Sequence, residues 1–219
     1  MKEFAWSFSA LTRYENCPKQ YYHVNVAKDF KDEDTEFSAS GKDVHTALYR
    51  RVVKNQTLPL DLRYLEKTAA KFVGLPGDTS GELKFAMARN FEPVEYFAPN
   101  VFVRVVVDLL NVRGSRAIVI DYKTGRPQPG FTQLELTAAV LGTHLPEIEE
   151  FDLVYVWLKN RTVTKHRLAR ESLVGVWNNF LPRVAKIEQA LKTTEFPAKP
   201  SGLCKYCPVT SCPNWKPRT

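Results

Sequence analysis

Hydrophobic and polar positions follow two rhythms along this chain, and the change falls after "GLPGDTSG". Before it, apolar residues recur every three or four positions. In "SASGKDVHTALYRRVVKN", Val44, Leu48 and Val52 lie four apart, the spacing of one buried helix face. "SFSALTRYENCPKQYYH" carries Leu11, Tyr14 and Tyr21 or Tyr22 at roughly helical spacing. Ser9 is its expected N-cap, and Pro18 ends that helix or starts a second. "LRYLEKTAAKFV" reads as another helix, "KDFKDEDTEF" as a charged loop, and "GLPGDTSG" as loop.

Beyond that point the texture is strand-like. "ELKFAMARNF", "NVFVRVVVDLL", "RAIVIDYK", "FDLVYVWL" and "TVTKHRLA" are rich in Val, Ile, Phe and Tyr. One helix, "FTQLELTAAVLGTHL", separates the first three from the last two, and a final helix covers about residues 172 to 192. The order predicts a mixed central sheet flanked by helices, of the α/β or α+β class. A single domain over 1–219 is expected, with a small subdomain formed by 1–30 and 195–219.

Composition adds limits. Hydrophobic residues make up 44% of the 219 and charged residues 25%, as in an ordinary globular protein. No apolar run approaches the roughly 20 residues that a membrane helix needs, and "MKEFAWSFSAL" lacks the apolar core of a signal peptide. An intracellular, cytoplasmic location with no membrane partner is expected. Lys plus Arg number 31 against 24 acidic residues, a net charge of +7 that suits a polyanionic partner without requiring one.

The four cysteines are unevenly placed. Cys204, Cys207 and Cys212 form C-x2-C-x4-C near the C-terminus, and Cys17 stands alone near the N-terminus. In a reducing compartment such a set points to a metal site before a disulfide pair, with inert buried thiols as the bland alternative. Four thiolates complete a tetrahedral zinc site or hold an iron–sulfur cluster. One C-x2-C pair, a third cysteine nearby and a distant fourth make a poorer zinc pattern than two such pairs, which favours the cluster. Either centre would staple the two chain ends together.

"AIVIDYKTG" places Asp121 and Lys123 two apart, on one face of a strand that persists that far. Asp108 closes the preceding strand, and a hairpin around Asn111 to Ser115, containing Gly114, would bring it beside Asp121. Two neighbouring carboxylates raise each other's pKa unless a cation sits between them. Magnesium or manganese takes oxygen ligands of this kind. His45 edges the Val44–Leu48–Val52 stripe, close enough to the core to reach such a site. Each residue alone also fits a solvated strand end or helix surface; the combination carries the chemistry.

"GKDVH", "VVVD" and "VIDYKTG", followed by "QLELTAAV", resemble the RecB-like branch of the PD-(D/E)xK nucleases. "SFSALTRYENCPKQYYH" with "CKYCPVTSCP" resembles that branch's iron–sulfur-bearing members, which include the AddB nuclease domain and the CRISPR-associated adaptation nucleases. The resemblance covers about Ser7 to Pro213. It implies a restriction-endonuclease-like fold and a metal held by His45, Asp108, Asp121 and the backbone carbonyl of Tyr122. It further implies Lys123 as the residue that places the attacking water, and Gln133 as the one that orients Lys123 or a phosphate. Cys17, Cys204, Cys207 and Cys212 would hold a structural 4Fe–4S cluster, with zinc as the alternative. Two positions depart from the pattern: Thr137 stands where the helical Q-x-x-x-Y motif has tyrosine, and Asp121 where glutamate is common. Glu82 is an extra carboxylate without an assigned place.

The implied activity is Mg- or Mn-dependent hydrolysis of DNA, as an exonuclease preferring single strands, in recombination, replication or repair. A non-catalytic DNA-binding module with a structural metal site is the rival. Basic segments with Arg50, Arg51, Lys54, Arg161, Lys165, Arg167 and Arg170 are candidates for the DNA track. Trp6, Tyr21, Tyr22, Tyr206 and Trp215 are candidate stacking residues, most of them expected to be core or solvated surface. No G-x-x-x-x-G-K-[ST] motif is present, so an unwinding motor or a recombination or adaptation partner would be a separate protein.

Overall fold

The computed structural model describes residues 4–32 and 36–217; part of the charged segment "KDFKDEDTEF" lies outside them. The chain runs through α1 (Phe8–Asn16), α2 (Pro18–Tyr21), α3 (Glu36–Val53), α4 (Glu66–Ala69), β1 (Asp78–Ala88), β2 (Pro93–Val94), β3 (Val101–Arg113), β4 (Arg116–Lys123), α5 (Thr132–His144), β5 (Glu150–Trp157), β6 (Thr162–Ala169) and α6 (Leu173–Thr193). Two compact units result. One is Glu36–Asn178 with the first five residues; the other joins Trp6–Thr35 to Asn179–Thr219.

The first unit is built on a six-stranded sheet in the order β2-β1-β3-β4-β5-β6. All neighbours are antiparallel except β4 and β5. The β3–β4 hairpin pairs Arg113 with Arg116, and Gly114 takes the left-handed conformation (φ 56°) that so short a loop requires. Parallel pairing of β4 with β5 needs a crossover, which α5 supplies. This helix is buried at Leu134 and continuously from Leu136 to Gly142, so it has no long polar face. A side chain at Gly142 would meet Leu173 Cδ1 at 2.7 Å. The Arg170 guanidinium donates to the carbonyls of Gly142, Leu145 and Ile148, satisfying orphan acceptors at and beyond the α5 C-terminus.

The stripe Val44, Leu48, Val52 is buried against Leu109, Ile120 and Tyr122 of the sheet and Leu58, Leu65 and Phe72 of the connection. That connection departs from expectation. "LRYLEKTAAKFV" is two 3₁₀ stretches, Leu60–Leu65 and Ala70–Phe72, around the single turn of α4. Only Leu65, Thr68, Ala69 and Phe72 are buried within it, too narrow a stripe to hold a full α-helix on the sheet. The strand β1 begins at Asp78, inside the stretch read as loop, because β3 is long enough to pair it as far as Val112. The short β2 lacks any periodic signal and forms by pairing with Ala86 and Met87.

In the second unit, Ser7 rather than Ser9 caps α1, its hydroxyl accepting from the Ala10 amide. Pro18 starts α2, where its missing N–H is harmless, and a π-helical turn follows over Tyr22–Ala27. Trp6 stacks on Phe180 at 5.8 Å, and Glu15 accepts two bonds from Arg183.

Candidate active centre and cysteine cavity

Asp108 lies inside β3, which runs on to Arg113 rather than closing at this residue, and Asp121 lies near the end of β4. The β3–β4 ladder closes at Leu109 opposite Ile120. One step further, the Asp108 carboxylate takes over from the strand: its Oδ2 accepts the Tyr122 amide at 2.8 Å, and its Oδ1 lies 3.2 Å from His45 Nδ1. His45 reaches it from α3, one position off the buried stripe, and meets the Tyr122 ring edge-on at 5.8 Å. Asp121 is 8% exposed. Its Oδ1 accepts from Gln133 Nε2 at 2.9 Å, and Gln133 Oε1 accepts from Lys123 Nζ at 2.8 Å. One amide thus bridges acid and base, and only one orientation of it suits a carboxylate on one side and an ammonium on the other.

Asp121 Oδ2 is 2.8 Å from Lys123 Nζ, an ion-pair distance without a directed hydrogen bond, and no other donor reaches it. Burial raises the Asp121 pKa to about 6. Lys123 pulls it down, Asp108 adds to the rise and His45 opposes it. Burial pushes His45 down, but its bond to Asp108 and the charges of Asp108 and Asp121 outweigh this, so its pKa is raised.

Lys123 is held from a third side. Its ammonium sits 5.4 Å from the centroid of the Tyr155 ring, and Phe131 stacks on Tyr155 at 5.3 Å with 22° between planes. Neither aromatic stood out in the sequence, because Tyr155 reads as one more apolar residue of β5. Thr137, in place of the motif tyrosine, turns inward: it is 4% exposed and bonds back to the Gln133 carbonyl. Glu82, unplaced in the sequence, lies in β1 with a left-handed backbone (φ 53°), and its carboxylate accepts from Thr46, the neighbour of His45. The preceding Gly81 has the Tyr49 ring and the Asp108 carbonyl where a Cβ would stand, at 2.6 and 2.8 Å.

Two carboxylates and an imidazole form a donor set that suits a hard divalent cation, and the buried, undirected Asp121 Oδ2 has a coordination position to give. Among the described residues no three His, Cys, Asp or Glu groups converge as they stand. Asp108 is engaged by His45 and the Tyr122 amide, and Asp121 by Gln133 and Lys123.

All four cysteines line one cavity of the second unit, about 450 Å³ in volume, together with Phe8, Lys199 and Trp215. None is in a disulfide. Backbone amides point at two of the sulfurs: Lys199 N to Cys17 Sγ at 3.4 Å, and Ser201 N to Cys204 Sγ at 3.3 Å. Burial raises the Cys207 thiol, and the other three cysteines push it the same way. A cationic centre would relieve that mutual repulsion.

Several candidate DNA contacts serve the fold instead. Arg51 pairs with Glu66 and Arg167 with Asp152, while Arg170 is spent on α5. Trp6 and Tyr21 are core at 2% and 3% exposure. Arg50, Lys54, Arg161 and Lys165 are exposed, as are Tyr22 and Tyr206.

A β-α-β sheet of this topology, with acid and lysine at the end of β4 and a glutamine on the crossover helix, defines a class, and the family comparison agrees. The chain belongs to the PD-(D/E)XK nuclease superfamily, whose sequence profile matches residues 5–213. That places it among metal-dependent nucleases, with DNA as the substrate class. Among solved structures, that of SSO0001 aligns with 97% of this chain and 87% of its own, at 15% identity and a TM-score of 0.47. No curated protein matches the chain. Among the described residues no helix is long and apolar enough to cross a membrane.

Proposed function

We propose that the chain is a deoxyribonuclease of the RecB-like branch, an exonuclease preferring single-stranded DNA, with an iron–sulfur cluster bound by Cys17, Cys204, Cys207 and Cys212. The observation that carries the catalytic reading is the Gln133 bridge, which fixes Lys123 beside Asp121 on the strand next to Asp108. A magnesium or manganese ion held by His45, Asp108, Asp121 and the Tyr122 carbonyl would polarise the scissile phosphate and acidify a water.

The rest is work for side chains. Lys123, 31% exposed and turned by Gln133 and Tyr155, presents an ammonium to the attacking water and to the charge that builds on the phosphate. Gln133 aims that ammonium by accepting from it, and donates its other bond to the Asp121 carboxylate. Asp108 ties His45 to the β4 backbone through the Tyr122 amide, so three elements move as one. In the second unit, the amides directed at Cys17 and Cys204 would stabilise thiolate charge around a cluster.

Digestion of labelled linear and circular DNA, single- and double-stranded, tests this reading. Loss of linear single strands, with circles of the same sequence spared, supports it. Circles cut as fast as linear strands would make the enzyme an endonuclease. Tight binding without cleavage in either metal would favour the non-catalytic module. For the cluster, protein made without oxygen should be brown and contain iron; a colourless preparation with stoichiometric zinc refutes it.

A further inference from the structure

From Asp108, the outward face of the sheet continues along β3 through Val106 and Arg104, since alternate strand residues share a face. The opposite face, through Val103, Val105 and Val107, is buried. Lys84 stands beside Val106 in the β1–β3 register. Beyond them the chain after β2 lays two aromatic rings: Tyr96 and Phe97, edge to face at 5.0 Å. The Lys84 ammonium is 5.7 Å from the first ring and 5.9 Å from the second. Arg104 donates to the Tyr96 carbonyl at 2.7 Å and lies over the Tyr96 ring at 5.6 Å.

Three features of this strip are unexplained by the fold. Phe97 is 80% exposed, so folding gains little from its ring, and Val106 is left 50% exposed. Lys84 and Arg104 make no ion pair among the described residues, although each is held in place by aromatic or backbone contacts. The strip is continuous with the candidate active centre: Asp108 and Arg104 are four residues apart on one strand face, about 14 Å. The acid on this face, Glu82, lies at the α3 end and is bonded to Thr46.

We propose that this β1–β3 face is a binding site for single-stranded DNA, the segment of the substrate strand that flanks the scissile phosphate. Lys84 and Arg104 meet the phosphates, Phe97 stacks on a base, and Val106 forms the apolar floor between them and Asp108. A π-face and spaced cations suit an unpaired strand; the bases of a duplex are stacked on one another and offer no free face. The site rests on the nuclease reading only for its orientation towards Asp108.

The test is fluorescence anisotropy with a labelled oligo-dT strand and its duplex counterpart, in EDTA so that nothing is cut, alongside cleavage in manganese. Phe97→Ala should weaken single-strand binding about tenfold. Lys84→Ala should weaken it several-fold and reduce the slope of log affinity against log salt by about 0.7. Both side chains are exposed, so melting temperature should not move. A 5-iodouracil strand should photocrosslink to wild type near Phe97 and fail to do so in Phe97→Ala. Unchanged binding in both variants, with cleavage by wild type intact, overturns this surface and leaves the nuclease reading standing. Weakened binding in both variants, with no cleavage by wild type, supports the surface and overturns the nuclease reading. Equal losses on duplex DNA, or a change of sedimentation coefficient in Phe97→Ala, overturn the assignment in favour of a duplex contact or an interface between copies.

Discussion

Replacing Asp121 by Asn should stabilise the metal-free protein while abolishing its chemistry. The carboxylate is held about two units above an ordinary aspartate, near 6, chiefly by burial. One unit is worth about 1.4 kcal/mol, so ionised Asp121 costs the fold about 3 kcal/mol at pH 7.5 in the absence of a cation. The attraction of Lys123 is already inside that figure. The sign follows from linkage: a folded-state pKa above the unfolded one means the native state binds more protons between about pH 4 and 6. The penalty is therefore absent below about 4, grows through that window and is complete above 6. Asn keeps its carbonyl as acceptor for Gln133 but turns an amide NH₂ towards Lys123, which offsets part of the gain. We expect a net stabilisation of about 1–2 kcal/mol, or a melting temperature some 2–6 °C higher in EDTA at pH 7.5. The gain should be much smaller at pH 4.5. Manganese should raise the melting temperature of wild type and leave Asp121→Asn unmoved. A variant less stable than wild type in EDTA at pH 7.5, or an equal gain at both pH values, would refute the burial argument.

Gln133→Ala should lower kcat by about ten- to a hundredfold with little change in DNA affinity, because Lys123 loses its acceptor and Asp121 its donor; steady-state kinetics beside anisotropy would show it. Tyr155→Phe should keep most of the activity, whereas Tyr155→Leu should lose several-fold beyond its effect on stability, since it is the ring face of Tyr155 that meets the ammonium. Manganese affinity, followed by calorimetry, should rise as pH passes about 6, where Asp121 gives up its proton, and rise further as His45, whose pKa is raised above its ordinary value, gives up its own. Cys207→Ser should remove the visible absorbance of anaerobic protein and make Trp6–Thr35 with Asn179–Thr219 more sensitive to limited proteolysis.

Local periodicity reached far into this fold and stopped where tertiary pairing decides. The strands "RAIVIDYK" and "TVTKHRLA" and the stripe Val44–Leu48–Val52 are legible because each carries its own hydrophobic rhythm. The start of β1 at Asp78 and the existence of β2 are not, since both depend on partners supplied by β3 and β1. For the site, Asp108, Asp121 and Lys123 follow from one hairpin and a strand period of two. The position of His45 beside the Val44–Leu48–Val52 stripe puts it near such a site, but its role and that of Gln133 needed the family resemblance, because nothing in a helix period says which strand end it faces. Tyr155 was invisible as a site neighbour, and Glu82 stood out as an extra carboxylate without a place. The first looks like core, and the second depends on a left-handed backbone that the sequence does not announce. Arg170 misled in the other direction: its charge suggests a DNA contact, and its partners are three carbonyls after α5.

The central claim is that Asp121 and Lys123 perform metal-dependent cleavage of DNA. Its most direct measurement is digestion of a labelled single strand by wild type, Asp121→Ala and Lys123→Ala, each with manganese, magnesium and EDTA. The account predicts cleavage by wild type with metal only, and a loss of at least a thousandfold in both variants, about 4 kcal/mol or more of transition-state stabilisation, with binding of the strand retained. Cleavage that survives unchanged in both variants would contradict it.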